Sequence, residues 1–408
     1  PEVRRVIDDL YVELTRVNAA ADAAFDRDVC WPPGTFWERR ETNAAAALLP
    51  YLRPGGRSLL GEFPANHPFV EVVLQSALFA GHLAPSSRPL PQFAVARTHG
   101  SWTRGPFGMA AGEDDIVSFL AERVTALGGQ VLFNERAVGV NVGQRDNHEI
   151  VLDGLSSVVG STFVVSDELG ESLAQLAHGQ GVLRKAQRDW PLVSEKAGRF
   201  TVSMLVRREG LPEPLGAEAL IFPRMPGAPP DPLSPVVHLQ RVDRIATEDD
   251  PTARTDVALL VAEIVLPVPG SLPLTSAREA VLNIVLSQLP YMPKHLLVVD
   301  STHDGLPVWT FDNGRRTNVD RIEAQGSLRV PEPMPPLLCV EPPGYLGIGA
   351  EPLRGPIPRT FLTGRSVLPS LGQEGEMLAC WGVARIITRS DKRRARMRRD
   401  MWSRIEFG

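Results

Sequence analysis

The order of helical and strand-like patterns predicts a mixed fold, α/β and α+β, in which a parallel-sheet domain carries an inserted, mostly antiparallel one. Three observations carry this expectation. Between residues 113 and 166 a helical stripe gives way to a period-two stretch and then to a continuous apolar run, the pattern of a helix, an antiparallel meander and a buried parallel strand. Between residues 200 and 299, strand-like apolar runs separated by Pro/Gly loops enclose a single helical stripe, which describes an antiparallel sheet with one α layer. Over residues 359–387 a short apolar run ends in Gly364, crosses a Pro/Gly loop and enters a small-residue segment of helical period. That is a strand delivering a loop to a helix N-terminus, where amides freed by Gly372 and Gly375 and the helix dipole attract a ligand.

From the N-terminus, Val3, Val6, Ile7, Leu10, Leu14 and Val17 predict an amphipathic helix over 1–25. Cys30-Trp31-Pro32-Pro33-Gly34 breaks it, and helices follow over 36–49 and 69–83. Their apolar faces suit core packing, with the wall of an apolar pocket as the other use. Glu113, Asp114 and Asp115 head a helix whose stripe is Ile116, Phe119, Leu120, Val124 and Leu127. Gly128-Gly129 stops it, and 131–133 reads as a short strand. Strands over 137–142 and 149–152 flank a polar turn, Asp153-Gly154 signals a hairpin, and 161–166 reads as the returning apolar strand.

Beyond residue 183, strands are expected over 200–206, 219–222, 236–239, 257–266 and 296–299, with one helix over 276–289. The Pro-rich stretch 223–235 reads as a surface connection. Residues 331–358 read as a Pro/Gly linker, and their Gly347-Ile348-Gly349 lacks the third glycine of a dinucleotide fingerprint.

Composition excludes several functions. At 408 residues the chain is long enough for two or three domains, and 43% hydrophobic with 22% charged residues is ordinary for a globular protein. A net charge of -5 argues against nucleic acid as the partner of the whole chain. Cys30, Cys339 and Cys380 show no pairing or metal spacing, which fits a reducing, cytoplasmic setting. Eight scattered histidines give no metal site. No uncharged apolar run approaches the roughly 18 residues of a membrane span. No Ser/His/Asp set or paired-carboxylate motif is evident. Residues 389–400 hold seven basic and two acidic residues, and Met397, Met401 and Ile405 share one helical face. Two readings stay open for this tail: a terminal helix packing on its own protein, and peripheral contact with an anionic membrane surface.

The order strand, Gly364, Pro369, Gly372, Glu374-Gly375-Glu376, small-residue helix resembles the C-terminal FAD-contacting motif of the phytoene (carotenoid) desaturase-like flavoproteins of the amine oxidase superfamily. Residues 128–142 and 161–169 resemble, in the same order, the second half of that family's FAD-binding domain, where a small β-meander replaces a crossover helix. The resemblance implies an incomplete FAD-binding Rossmann-like domain with β-meander. Its second half spans 99–182 and its C-terminal motif 351–390. The implied substrate domain has a helical part over 1–98 and an inserted, mostly antiparallel sheet over 183–350, and a basic tail occupies 391–408.

The cofactor so implied is FAD. Gly364, Arg365, Gly372, Gln373, Glu374, Gly375 and Glu376 would face its flavin end, with Val138 against the adenine. Arg365 and Glu374 are polar enough to tune a flavin, and no residue is assigned a catalytic role. The implied activity is hydride transfer to or from a lipophilic, isoprenoid-class small molecule, a reaction in which the flavin carries the redox chemistry. The family's N-terminal strand, Gly-x-Gly-x-x-Gly turn and acidic-ended second strand have no match here. The expectation is that the chain begins inside the substrate domain and that an upstream polypeptide or a partner chain supplies the pyrophosphate-binding half. The alternative is a flavin-free structural or partner subunit derived from a truncated flavoprotein.

Overall fold

The computed structural model describes residues 2–52, 58–64, 67–87, 89–103, 113–133, 135–143, 147–153, 158–224, 231, 234–243, 256–268, 270, 272–326 and 330–390. The tail over 391–408, most of 223–235 and the Gly154 half of the hairpin signal lie outside them.

In chain order the helices and first strands are α1 (Glu2–Phe25), α2 (Phe36–Ala46), α3 (Pro68–Ala80), α4 (Gln92–Thr103), α5 (Glu113–Ala126), β1 (Ala137–Val142), β2 (His148–Leu152), β3 (Val158–Ser161) and β4 (Val164–Ser166). Then come α6 (Gly170–Leu176), α7 (Arg184–Asp189), β5 (Leu192–Arg207), β6 (Glu218–Ile221), β7 (Val237–Asp243), β8 (Val257–Pro267) and α8 (Leu274–Gln288). The chain finishes with β9 (Leu296–Asp300), β10 (Val308–Asp312), β11 (Arg315–Val319), α9 (Arg321–Gln325), β12 (Pro336–Glu341), β13 (Thr360–Leu362) and α10 (Gln373–Ser390). It folds as two compact units, one of residues 1–57, 91–193 and 340–408, the other of 58–90 and 194–339. No described helix is long and apolar enough to cross a membrane.

In the first unit, α1 buries Leu10, Leu14, Val17, Ala21 and Ala24, which continues the predicted stripe and packs on α4. Phe25 meets Trp31 and Phe93 edge-on at 5.3 and 6.3 Å. Thr35 and Glu38 close a reciprocal capping box at the start of α2. β1, β2 and β3 form an antiparallel meander. β4 and β13 pair in parallel, Val164 with Thr360 and Ser166 with Leu362.

Three local expectations change. Residues 131–133 are not a strand but loop and turn, with Leu132 and Phe133 exposed and no sheet partner among the described residues. The apolar run 161–166 is two elements rather than one, because Ser161 ends the meander and Val164 opens the parallel pair. Its Val165 is 48% exposed, where a buried strand was expected. Helix α4 was not anticipated: its residues 93–100 are buried on every side, so no amphipathic stripe marks it.

The second unit is an antiparallel sheet in the order β11-β10-β9-β5-β8-β7-β6, with β12 also pairing β5. Its core joins Phe200, Val202, Met204, Leu260 and Ile264 of the sheet to Ala277, Val281 and Val285 of α8. The β10–β11 hairpin turns through Asn313 and Gly314, at φ 50° and 82°, the left-handed pair that a two-residue hairpin loop requires.

Two charged clusters are built into this unit. Arg278, fully buried, donates to Asp304, itself fully buried, and to the Pro307 carbonyl. Its guanidinium also lies 4.9 Å from the Trp309 ring centroid, and Arg321 donates to Asp300. The second cluster is His238, buried between Glu218 at 3.6 Å and Glu263 at 3.4 Å, with the Phe79 ring beside it. Burial opposes the charged imidazolium, but hydrogen bonding and charge from the two carboxylates outweigh it and raise the His238 pKa.

Each cluster generates a prediction. Asp304→Asn removes the nearer of the two carboxylates facing the buried Arg278 and leaves only Asp300 at 3.4 Å, which should cost up to about 3–5 kcal/mol, read as a lower urea midpoint. The His238 contribution is complete below the ordinary histidine pKa of about 6.5 and is lost as pH rises through the raised folded value. The melting temperature should therefore fall across that window, and His238→Gln should flatten the fall. An unchanged slope would remove His238 from the account.

Candidate functional site

Because β4 and β13 run in parallel, their carboxyl ends open on the same side, the position at which open α/β sheets bind ligands. Two connections meet there. After β4 the chain passes Asp167 into α6, and after β13 it passes Gly364, a 3-10 turn over Pro369–Leu371, and Gly372 into α10. Thr363 N donates to Ser166 O at 3.0 Å and locks the two exits together. A Cβ on Gly364 would overlap the Asp167 carbonyl oxygen, so only glycine permits this approach. Gly372 sits at φ 59°, ψ -137°, where an L side chain is strained.

Seven of the eight expected residues thus lie together on one loop and the first turn of α10, with Gly364, Gly372 and Gly375 buried and Arg365 and Gln373 exposed. Val138 stands on β1 in the separate meander sheet, with an exposed side chain. The glycines divide by role. Gly364 and Gly375 serve close packing, since a Cβ on Gly375 would overlap the Leu368 carbonyl. Gly372 makes the turn that presents the helix end. The amides of Gln373, Glu374 and Gly375 head α10 with no acceptor among the described residues, leaving hydrogen-bond donors at the mouth of the loop.

The charges at this helix end are already balanced. Glu374 accepts from Arg97 Nε at 2.8 Å and from its Nη2 at 2.5 Å, and Arg97 Nη1 reaches Asn18 Oδ1 at 2.7 Å and Asp22 at 2.9 Å. Burial works against the Arg97 guanidinium, but Glu374 and then Asp22 more than offset it and hold it charged. Arg365 stands 3.9 Å from Glu376. With two carboxylates in the first turn, the macrodipole has its complement within the chain. The free amides therefore suit a neutral acceptor such as a ring carbonyl better than a phosphate.

Glu351 went unnoticed in the sequence. It is fully buried; its Oε1 accepts from Gly170 N at 3.0 Å and Trp190 Nε1 at 2.7 Å, and its Oε2 from Ser366 Oγ at 2.5 Å. Burial raises its pKa, although these donors and Ser366 first among them pull the other way. Backbone bonds from Ala350 N to Val367 O and from Glu351 N to Ser366 O fasten the same segment to the loop. The available signal was the one acidic residue between Pro342 and Leu353, in an otherwise apolar Pro/Gly run, which must be hydrogen-bonded if buried.

No protein-family model matches the chain, and no curated protein matches it. Among solved structures it is similar to an oxidoreductase from Methanosarcina mazei, at 12% identity over 87% of this chain and 73% of that one, with a TM-score of 0.47. It is also similar to cyclohexylamine oxidase from Brevibacterium oxydans, at 12% identity over 94% and 75%, TM-score 0.39. A third is L-α-glycerophosphate oxidase from Mycoplasma pneumoniae with FAD bound, at 11% over 73% and 55%, TM-score 0.31. With TM-scores this low, the function proposed below rests on the chain's own geometry and motifs.

The close approach at Gly364 can be tested directly. Gly364→Ala should lower stability by about 1–3 kcal/mol or more through overpacking against backbone, whereas Gln373→Ala, exposed, should stay within about 0.5 kcal/mol. Chemical denaturation of both variants checks the contrast.

Proposed function

We propose that the chain is part of a FAD-dependent oxidoreductase of the phytoene desaturase-like type, transferring hydride to or from an apolar, isoprenoid-class substrate. The observation that carries this reading is the junction of β4 and β13. It brings a glycine-turned loop and three unengaged helix-end amides to the carboxyl ends of parallel strands. Those donors fit the carbonyl edge of a neutral flavin ring, and Gly364, Gly372 and the first turn of α10 are the residues that would hold it. When bound, a flavin supplies hydride acceptance or donation. The chain's part is to orient the ring through the amides and to hold the loop rigid through Glu351 and Arg97.

The residues here fit one end of the cofactor. The pyrophosphate-binding half is assigned, within this proposal, to an upstream or partner polypeptide carrying a strand, glycine turn and helix. Two features support that assignment. The outer edge of β4 is unpaired among the described residues. Helix α5 leaves its stripe in the open, with Phe119 57% and Leu127 78% exposed. Leu120, Leu132 and Phe133, at 53%, 56% and 64%, add to the large apolar side chains exposed on α5 and the loop after it.

The test is co-expression of the chain with the polypeptide encoded immediately upstream. The complex should show flavin absorbance bands and release FAD on denaturation, and Gly372→Val should abolish both while the two polypeptides still co-purify. A co-purified complex with no flavin would reassign the chain to a flavin-free partner subunit.

A further inference from the structure

A cavity of about 610 Å³ opens within the first unit, between α2, α7 and the segment 345–355. Its volume falls in the range of small-molecule sites. Two aromatic side chains wall it, and each is fixed from behind. Trp190 gives its Nε1 hydrogen to Glu351 and packs against Gly170, where a Cβ would overlap the indole. Tyr345 donates to Asn43 Oδ1 at 2.9 Å and meets the Trp31 ring at 6.1 Å. Pro32, Pro191 and Leu183 add apolar, conformationally stiff surface. A wall of this kind binds a flat apolar body with little ordering of the protein.

The charges around the cavity are not balanced. Burial pushes the Tyr345 phenol up to about 12, so it is neutral. Glu351 is buried under three donors. Asp189 is held by Arg188, and Arg354 by Glu38, at 2.8 and 2.7 Å. That leaves Arg39 on α2 in no ion pair among the described residues, and Lys185 on α7 with only a through-space attraction to Asp189, which accepts its hydrogen bonds from Arg188. Two cations in the lining, neither held in a direct ion pair, beside two fixed aromatic rings favour negative charge on a flat apolar ligand.

We propose that this cavity is a binding site for a flat, largely apolar organic anion, a carboxylate in the first instance, whose ring lies between Trp190 and Tyr345 and whose charge is met by Arg39 and Lys185. The site is separate from the helix-end amides of α10. It does not require the flavin reading, because its recognition chemistry is anionic whereas that of α10 suits a neutral acceptor.

The probe is 2-naphthoate, with 2-naphthamide as its neutral counterpart, titrated by calorimetry into the full chain. Naphthoate should bind one to one and about tenfold or more tighter than the amide, the difference one charge-assisted contact supplies. Arg39→Gln with Lys185→Gln, both exposed side chains, should remove that preference and leave the amide and the melting temperature unchanged. Ala186→Trp should block both probes, which separates this cavity from the apolar face of α5. Equal binding of the two probes, an unaltered preference in the double variant, or full binding by Ala186→Trp would each overturn the proposal. So would competition by riboflavin that is insensitive to the double variant, since that would give the cavity to a neutral ring.

Discussion

The first unit depends on one short parallel contact, three residues of β4 against three of β13, made by segments from distant parts of the chain. Bringing such segments together carries a loop-closure cost before any contact rewards it, and a handful of hydrogen bonds at about 1 kcal/mol each cannot hold it alone. Across the junction the buried Glu351 accepts from Gly170 N and Trp190 Nε1, and ion pairs brace its C-terminal side. Arg97 of α4 grips Glu374 of α10, Arg385 of α10 grips Asp28 and Glu41, and Arg354 grips Glu38 of α2. Each pair joins the N-terminal helices to the C-terminal segment, so the junction is clamped by side chains that neither strand contains.

This clamp also decides what the unit can recognise. Glu374 must be a carboxylate to hold Arg97, and that carboxylate occupies the helix turn whose dipole would otherwise attract an anion. The structural requirement thus removes phosphate-like ligands from the α10 end and leaves hydrogen-bond donors for a neutral acceptor. The cavity beside α2 and α7 has the opposite balance, because its carboxylates accept hydrogen bonds from Arg188 and from the Gly170, Trp190 and Ser366 donors while Arg39 and Lys185 stand outside any direct ion pair among the described residues. The two proposed sites therefore differ in the charge they would favour, and the difference comes from how the ion pairs are distributed.

The sequence made legible whatever has a one-sided pattern. Helices α1 and α8, the long strand β8, the 200–206 half of β5, and the strand-loop-helix of β13 and α10 all follow from periodicity and glycine placement. Helix α4 is invisible to that logic because it is buried all round, and its key residue, Arg97, acquires meaning only beside a Glu374 far away in sequence. The β10–β11 hairpin carried its signal in Asn313-Gly314, but its strands are short and half exposed, so no apolar alternation drew attention to them. Residues 131–133 show the reverse error, apolar enough for a strand yet without a neighbour to pair with.

That last mismatch has a wider sense. The stripe Ile116, Phe119, Leu120, Val124 and Leu127 is spaced as regularly as that of α1, yet Leu10, Leu14 and Val17 of the α1 stripe are buried and most of this one is open. A surface helix held only by its own solvation has no reason to segregate apolar residues on one face. Parallel strands, for their part, are ordinarily covered on both faces and continued by neighbours, and an open edge is a hazard that proteins blunt with charge or proline. β4 has neither; its sequence is Val164-Val165-Ser166. Patterned helix and open edge lie in the same unit, and both are apolar surfaces of the kind that a strand-bearing layer covers. Both features support the proposed partner polypeptide without drawing on the α10 amides.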